Sequence, residues 1–122
     1  MVTEVRGNAA ASWLKGTKHK FYEDRYRLLP RVVSLVEKAR RGELYGVFDG
    51  IGSAPKGMEA AQQMCDLLPD FFRKSELYSP DSKGMEALLL DGNQIVNGWG
   101  AMSERNAPLG GCAGTVAWIW ED

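Results

Sequence analysis

LYGVFDGIGSAPKGMEAAQQMCDLLPDFF, residues 44–72, decides the fold. Its first six residues, 44–49, are apolar up to Asp49 and carry aromatic and β-branched side chains, the composition of a strand. GIGSAPKG at 50–57 ends that strand with three glycines and a proline. Beyond it the period changes: Met58, Ala61, Cys65, Leu68 and Phe72 recur at intervals of three and four and form one apolar stripe, which predicts a helix over 55–74. Pro69 is expected to kink it, because its ring removes an amide donor and crowds the carbonyl of Cys65.

Working outward, 9–16 and 24–29 (DRYRLL) read as short strands. RVVSLVEKARR at 31–41 fits either a short helix or a decorated hairpin connection, closed by Gly42. A second helix is predicted from Ser79 as N-cap and Pro80 at the first helical position. Its stripe of Met85, Leu88, Leu89, Ile95, Val96, Trp99 and Met102 carries it to about residue 104 despite Gly92 and Gly98. After a loop at 105–111, TVAWIW forms a last strand. Strands and helices do not alternate as regular βαβ units, so the expected class is α+β with layered, mainly antiparallel sheets. The two long helices are expected side by side on one sheet, burying Leu68, Phe72, Leu89, Val96 and Trp99.

The 122 residues suit one domain, and 44% hydrophobic with 25% charged residues describes an ordinary globular chain. Net charge is −1 but unevenly spread: residues 1–42 hold ten Lys/Arg against four Asp/Glu, and residues 43–122 hold five against twelve. The basic positions are scattered and lack interleaved aromatics, which argues against a nucleic-acid partner. Cys65 and Cys112 lie far apart among apolar neighbours, which predicts reduced core thiols and no CxxC motif. No run approaches the roughly 18 apolar residues of a membrane span or the form of a signal peptide, so a cytoplasmic protein without a membrane partner is expected.

Three segments could carry chemistry. FYEDRY at 21–26 sets Glu23 beside Asp24 on a strand, where neighbours point to opposite faces, so one of the two can aim directly at a given site. VFDGIGSAPKG at 47–57 delivers Asp49 at a strand end, where a carboxylate is held rigidly; Gly50 lets the backbone turn so that its carbonyl also points to the loop side. Oxygen donors of this kind suit a hard cation such as Mg²⁺, and an Asp-Gly turn without a ligand is the alternative. A Walker loop fails because Lys56 is followed by Gly57, and the spacing of Gly50, Gly52 and Gly57 does not give GxGxxG. GGCAGTVAWIW at 110–120 has no chemistry of its own, but its small residues allow close backbone packing. His19, the sole histidine, sits between Lys18 and Lys20 with no triad partners in evidence.

In order and spacing these segments resemble the opening half of the protein phosphatase 2C family, the metal-dependent serine/threonine protein phosphatases, and its bacterial members in particular. The resemblance rests on Glu23-Asp24, on Asp49-Gly50-Ile51-Gly52-Ser53, on the Met58-Glu59-Ala60-Ala61 helix and on Gly114-Thr115-Val116, and covers about residues 9 to 120. It implies part of an αββα sandwich of mainly antiparallel sheets flanked by helices, with two Mg²⁺ or Mn²⁺ ions at one end. It implies hydrolysis of phosphoserine or phosphothreonine proteins by a metal-bridging water. Carried over by position, Glu23 and the Gly50 carbonyl would hold one ion, Asp49 would bridge both, and Asp24 would support from behind. His19 stands where the family has a phosphate-binding arginine, replacing a fixed cationic fork with a group that titrates near neutrality. Ile51 stands where some members carry a histidine.

Two further aspartate ligands that the family draws from later strands have no counterpart, so a single truncated domain spanning 1–122 is expected. Two rival readings stay open: a non-catalytic phosphatase-like module that binds a phosphoprotein, and a small α+β interaction domain whose acids cap turns. Truncation would also leave the strand at 115–120 with an unpaired edge, so the chain is expected to form a strand-edge dimer, swap or aggregate.

Overall fold

The computed structural model of the chain describes residues 2–14, 23–52, 55–101 and 109–120. In chain order the elements are β1 (Val2–Arg6), β2 (Ala9–Trp13), β3 (Asp24–Leu29), α1 (Ser34–Ala39), β4 (Glu43–Gly50), α2 (Gly57–Leu67), α3 (Asp70–Arg73), α4 (Ser82–Ala101) and β5 (Cys112–Ile119). All strand pairings are antiparallel: β1 with β2, and a three-stranded sheet in the order β3-β4-β5. The α+β expectation is borne out.

β4 organises the molecule. Its alternation puts Leu44, Gly46, Phe48 and Gly50 on a buried face, while Glu43, Tyr45, Val47 and Asp49 occupy the other. On the buried face α2 lies across the sheet, and Ala61, Cys65, Leu68 and Phe72 from the predicted stripe are buried, with Met58 half-buried. Helix and sheet approach closely at Gly46, where a Cβ would stand 2.6 Å from Leu68 Cδ1 and 2.9 Å from Phe48 Cε2. The helix predicted over 55–74 is two helices: α2 ends at Leu67, and α3 starts after Pro69, whose missing amide donor makes a break cheaper than a kink.

α4 departs from expectation in two ways. It starts later, because Asp81 and not Ser79 is its cap: Asp81 Oδ1 accepts the Gly84 amide at 2.9 Å and the Ser79 hydroxyl at 2.7 Å. Pro80 therefore precedes the helix. These bonds, the Ser79 hydroxyl first, hold the Asp81 carboxyl below its usual pKa. α4 also packs chiefly on α2 and α3, so the two long helices are successive layers. Leu88 and Val96 reach the core, while Leu89 and Trp99 are half-buried and Ile95 is exposed. Gly92 gives close approach, since a Cβ there would stand 2.5 Å from Met64 Sδ. Met102 lies outside the described residues.

The ambiguous 31–41 segment is the short helix α1, closed by Arg40 in the left-handed conformation (φ 53°) and Gly42 (φ +83°). Between them Arg41 is buried, its guanidinium donating to the carbonyls of Phe71, Ser75 and Tyr78 and stacking 4.7 Å from the Phe71 ring centroid. Trp118 Nε1 donates to the Arg41 carbonyl at 2.6 Å.

The opposite face of the sheet carries no helix among the described residues. The β1-β2 hairpin leans on β3 there, with Trp13 and Tyr26 ring centroids 5.2 Å apart and the Tyr26 hydroxyl donating to Glu4. Burial, then the Glu4 bond and charge, push the Tyr26 hydroxyl up to about 12. The sequence reading missed β1. Its signal is the Gly7-Asn8 pair between Arg6 and Ala9, a two-residue turn with φ +59° at the glycine. A groove of about 670 Å³ opens between this hairpin and the sheet, lined in part by Trp13, Tyr26, Tyr45, Val47 and Ile119. No helix among the described residues is long and apolar enough to cross a membrane.

Candidate functional site

The predicted acids meet at one end of the three-stranded sheet, where β3 begins and β4 ends. In the antiparallel register Asp24 stands opposite Asp49, and Asp49 is in turn opposite Ala113 of β5. Directly opposed residues share a face. Asp24 and Asp49 therefore project from the helix-free side, where Asp49 is solvent-exposed and Asp24 half-buried. Asp49 also acts on its neighbour Cys112: burial chiefly, and then the Asp49 charge, push that thiol's pKa up.

Glu23 takes a different route to the same corner. Its carbonyl accepts the Gly50 amide at 3.3 Å, which ties the start of β3 to the end of β4. Its carboxylate turns toward the following loop, with Oε2 3.2 Å from where a Cβ on Gly52 would stand. The adjacent acids thus divide, as strand alternation requires, with Asp24 taking the rung across from Asp49.

The 50–57 loop is held by backbone contacts. Ile51 donates to the Gly111 carbonyl at 2.9 Å and Lys56 to the Leu109 carbonyl at 2.7 Å. A Cβ on Gly50 would stand 2.5 Å from the Gly57 carbonyl oxygen and 2.9 Å from that of Glu23, and one on Gly110 would stand 2.7 Å from the Lys56 carbonyl oxygen. The small residues of the 110–120 segment serve the close packing expected of them, and this is what fixes the backbone around Asp49. Above the loop, Lys56 Nζ lies 5.6 Å from the Trp99 ring centroid, a cation–π contact the sequence reading did not foresee.

His19 lies outside the described residues. Among the described residues no three His, Cys, Asp or Glu side chains gather as a metal-holding group. The oxygen donors that share one rung at the corner are the carboxylates of Asp24 and Asp49. Mg²⁺ is commonly held through one or two carboxylates with several waters completing its shell, a demand that a pair of carboxylates meets for one ion and not for two. No family model matches the chain, and neither curated proteins nor solved structures give a match.

Proposed function

We propose that this corner is part of a metal-dependent serine/threonine phosphoprotein phosphatase site, in which Asp49 is the principal anchor of a divalent cation, Mg²⁺ or Mn²⁺. The observation that carries the reading is the pairing of Asp24 with Asp49 beside the Glu23–Gly50 backbone bond. It brings two acidic residues, 25 positions apart in the chain, onto one rung at one strand end, with the Glu23 backbone tied to Gly50 beside them. A cation bound there supplies charge neutralisation for a phosphoryl group. The chain's own part is to hold Asp49 at the end of β4, tie the Gly50 amide to the start of β3, and keep the loop close through glycines. Two cations side by side repel unless several carboxylates stand between them, so the acids described here support one ion.

A second reading, a non-catalytic module that binds a phosphoprotein, is favoured by the lack of a three-acid metal group among the described residues. Titration calorimetry with Mn²⁺, with p-nitrophenyl phosphate as substrate and a phosphoserine peptide as ligand, separates the two. We expect one weakly bound Mn²⁺, lost in Asp49→Ala without a change in the metal-free melting temperature, and turnover at the level of buffer. A wild-type chain that binds no Mn²⁺ overturns the metal site. Peptide binding that survives Asp49→Ala and chelator identifies the non-catalytic module.

A further inference from the structure

β5 is the edge of the three-stranded sheet, and its outer side pairs with no strand among the described residues. Exposed edges template the addition of another strand, and proteins usually blunt them with lysine, proline, a bulge or short length. This edge has none of these. From Leu109 to Trp120 there is no charged residue and no proline, and all eight residues of β5 pair one-to-one with β4.

The order of residue sizes along β5 selects its partner. Its first half, Cys112-Ala113-Gly114, is small, and its end, Trp118-Ile119-Trp120, is large. An antiparallel copy related by a two-fold axis at Val116 would set Gly114 against Trp118, Ala113 against Ile119 and Thr115 against Ala117 of the other chain. Each large side chain then meets a small one, and no charge opposes another. Such a pairing also keeps the helix-free faces of both sheets on one side, because residues opposed across an antiparallel ladder share a face.

Ile119, Trp120 and Val47 are about half exposed near this edge.

We infer that the chain forms a two-fold dimer through antiparallel β5–β5 addition, joining two three-stranded sheets into one of six strands. The test uses exposed positions 115 and 117, which face each other across the dimer, in sedimentation velocity over a concentration series. Wild type should be a monomer–dimer equilibrium. T115K/A117K opposes lysines at every 115–117 rung and should raise the dissociation constant about 100-fold or more, whereas T115K/A117E opposes unlike charges and should restore the dimer. Circular dichroism and melting temperature confirm that both variants are folded. The proposal is overturned by a wild-type monomer at high concentration or by open-ended assembly. It is equally overturned by a T115K/A117K variant that still dimerises, or by two variants that dissociate alike.

Discussion

The two faces of the β3-β4-β5 sheet divide the work of the molecule. One face, through Leu44, Gly46 and Phe48, is closed by α2 with α4 stacked outside it, and its tolerances are those of a packed interior. The other, through Asp24, Tyr26, Tyr45, Val47 and Asp49, is partly screened by a hairpin and carries both the acids and the groove. Because side chains alternate along β4, adjacent residues such as Phe48 and Asp49 answer to different demands. Close packing lies on one face and the exposed acids on the other, so substitutions on the two should differ in what they cost in stability.

The largest effect expected on the closed face is from Leu68→Ala or Leu88→Ala, both fully buried, at about 2–5 kcal/mol each by urea denaturation. Leu89→Ala, at a half-buried position, should cost less than Leu88→Ala; the reverse order would mean that α4 is rotated from the position described. Gly46→Ala should cost about 1–3 kcal/mol, because the added methyl meets Leu68 and Phe48. A neutral result would show that the helix layer gives way easily.

Alkaline titration reads both faces at once. Tyr45, through burial and then its bond to Glu43, and Tyr78, through its bond to Asp91 and then burial, are each pushed up to about 12, as is Tyr26. Each native pKa lies above the ordinary value of 10.0, so these groups contribute stability fully below pH 10 and lose it as the pH rises toward 12. Ultraviolet titration should show delayed phenolate formation, and denaturation midpoints should fall across that window. Three tyrosines ionising normally near pH 10 in folded protein would refute these environments. The smallest effect belongs to the open face: Val47→Thr, at an exposed position, should change stability by no more than about 0.5 kcal/mol. A larger loss would mean that Val47 is covered.

How much was legible in the sequence depended on how local the cause was. β3 and β4 were readable from composition, and the stripe through Ala61, Cys65, Leu68 and Phe72 from its period, because a single face decides each. The start of α4 was misread because Ser79 and Asp81 are both good capping residues and only the geometry of the Gly84 amide chooses between them. Its place outside α2 depends on packing partners that no local pattern names. At the site, Asp49 was visible as a strand-end acid. That Asp24 and not Glu23 shares its rung follows from a pairing register between strands nineteen residues apart, which side-chain alternation alone does not fix.

Arg41 ties together two parts of the fold that lie far apart in the chain. The carbonyl of Phe71 lies within α3 and that of Tyr78 between α3 and α4, and a side chain 30 to 37 residues upstream takes both. The connection between these helices is therefore anchored to the turn before β4, and that turn also holds the Trp118 indole through the Arg41 carbonyl. In hydrogen exchange, residues 71–78 should open together with the end of β5 as one cooperative unit, although about 40 residues of chain separate them. Arg41→Lys keeps the charge but removes the fork that spans several carbonyls, so it should uncouple the two segments and let 71–78 exchange first.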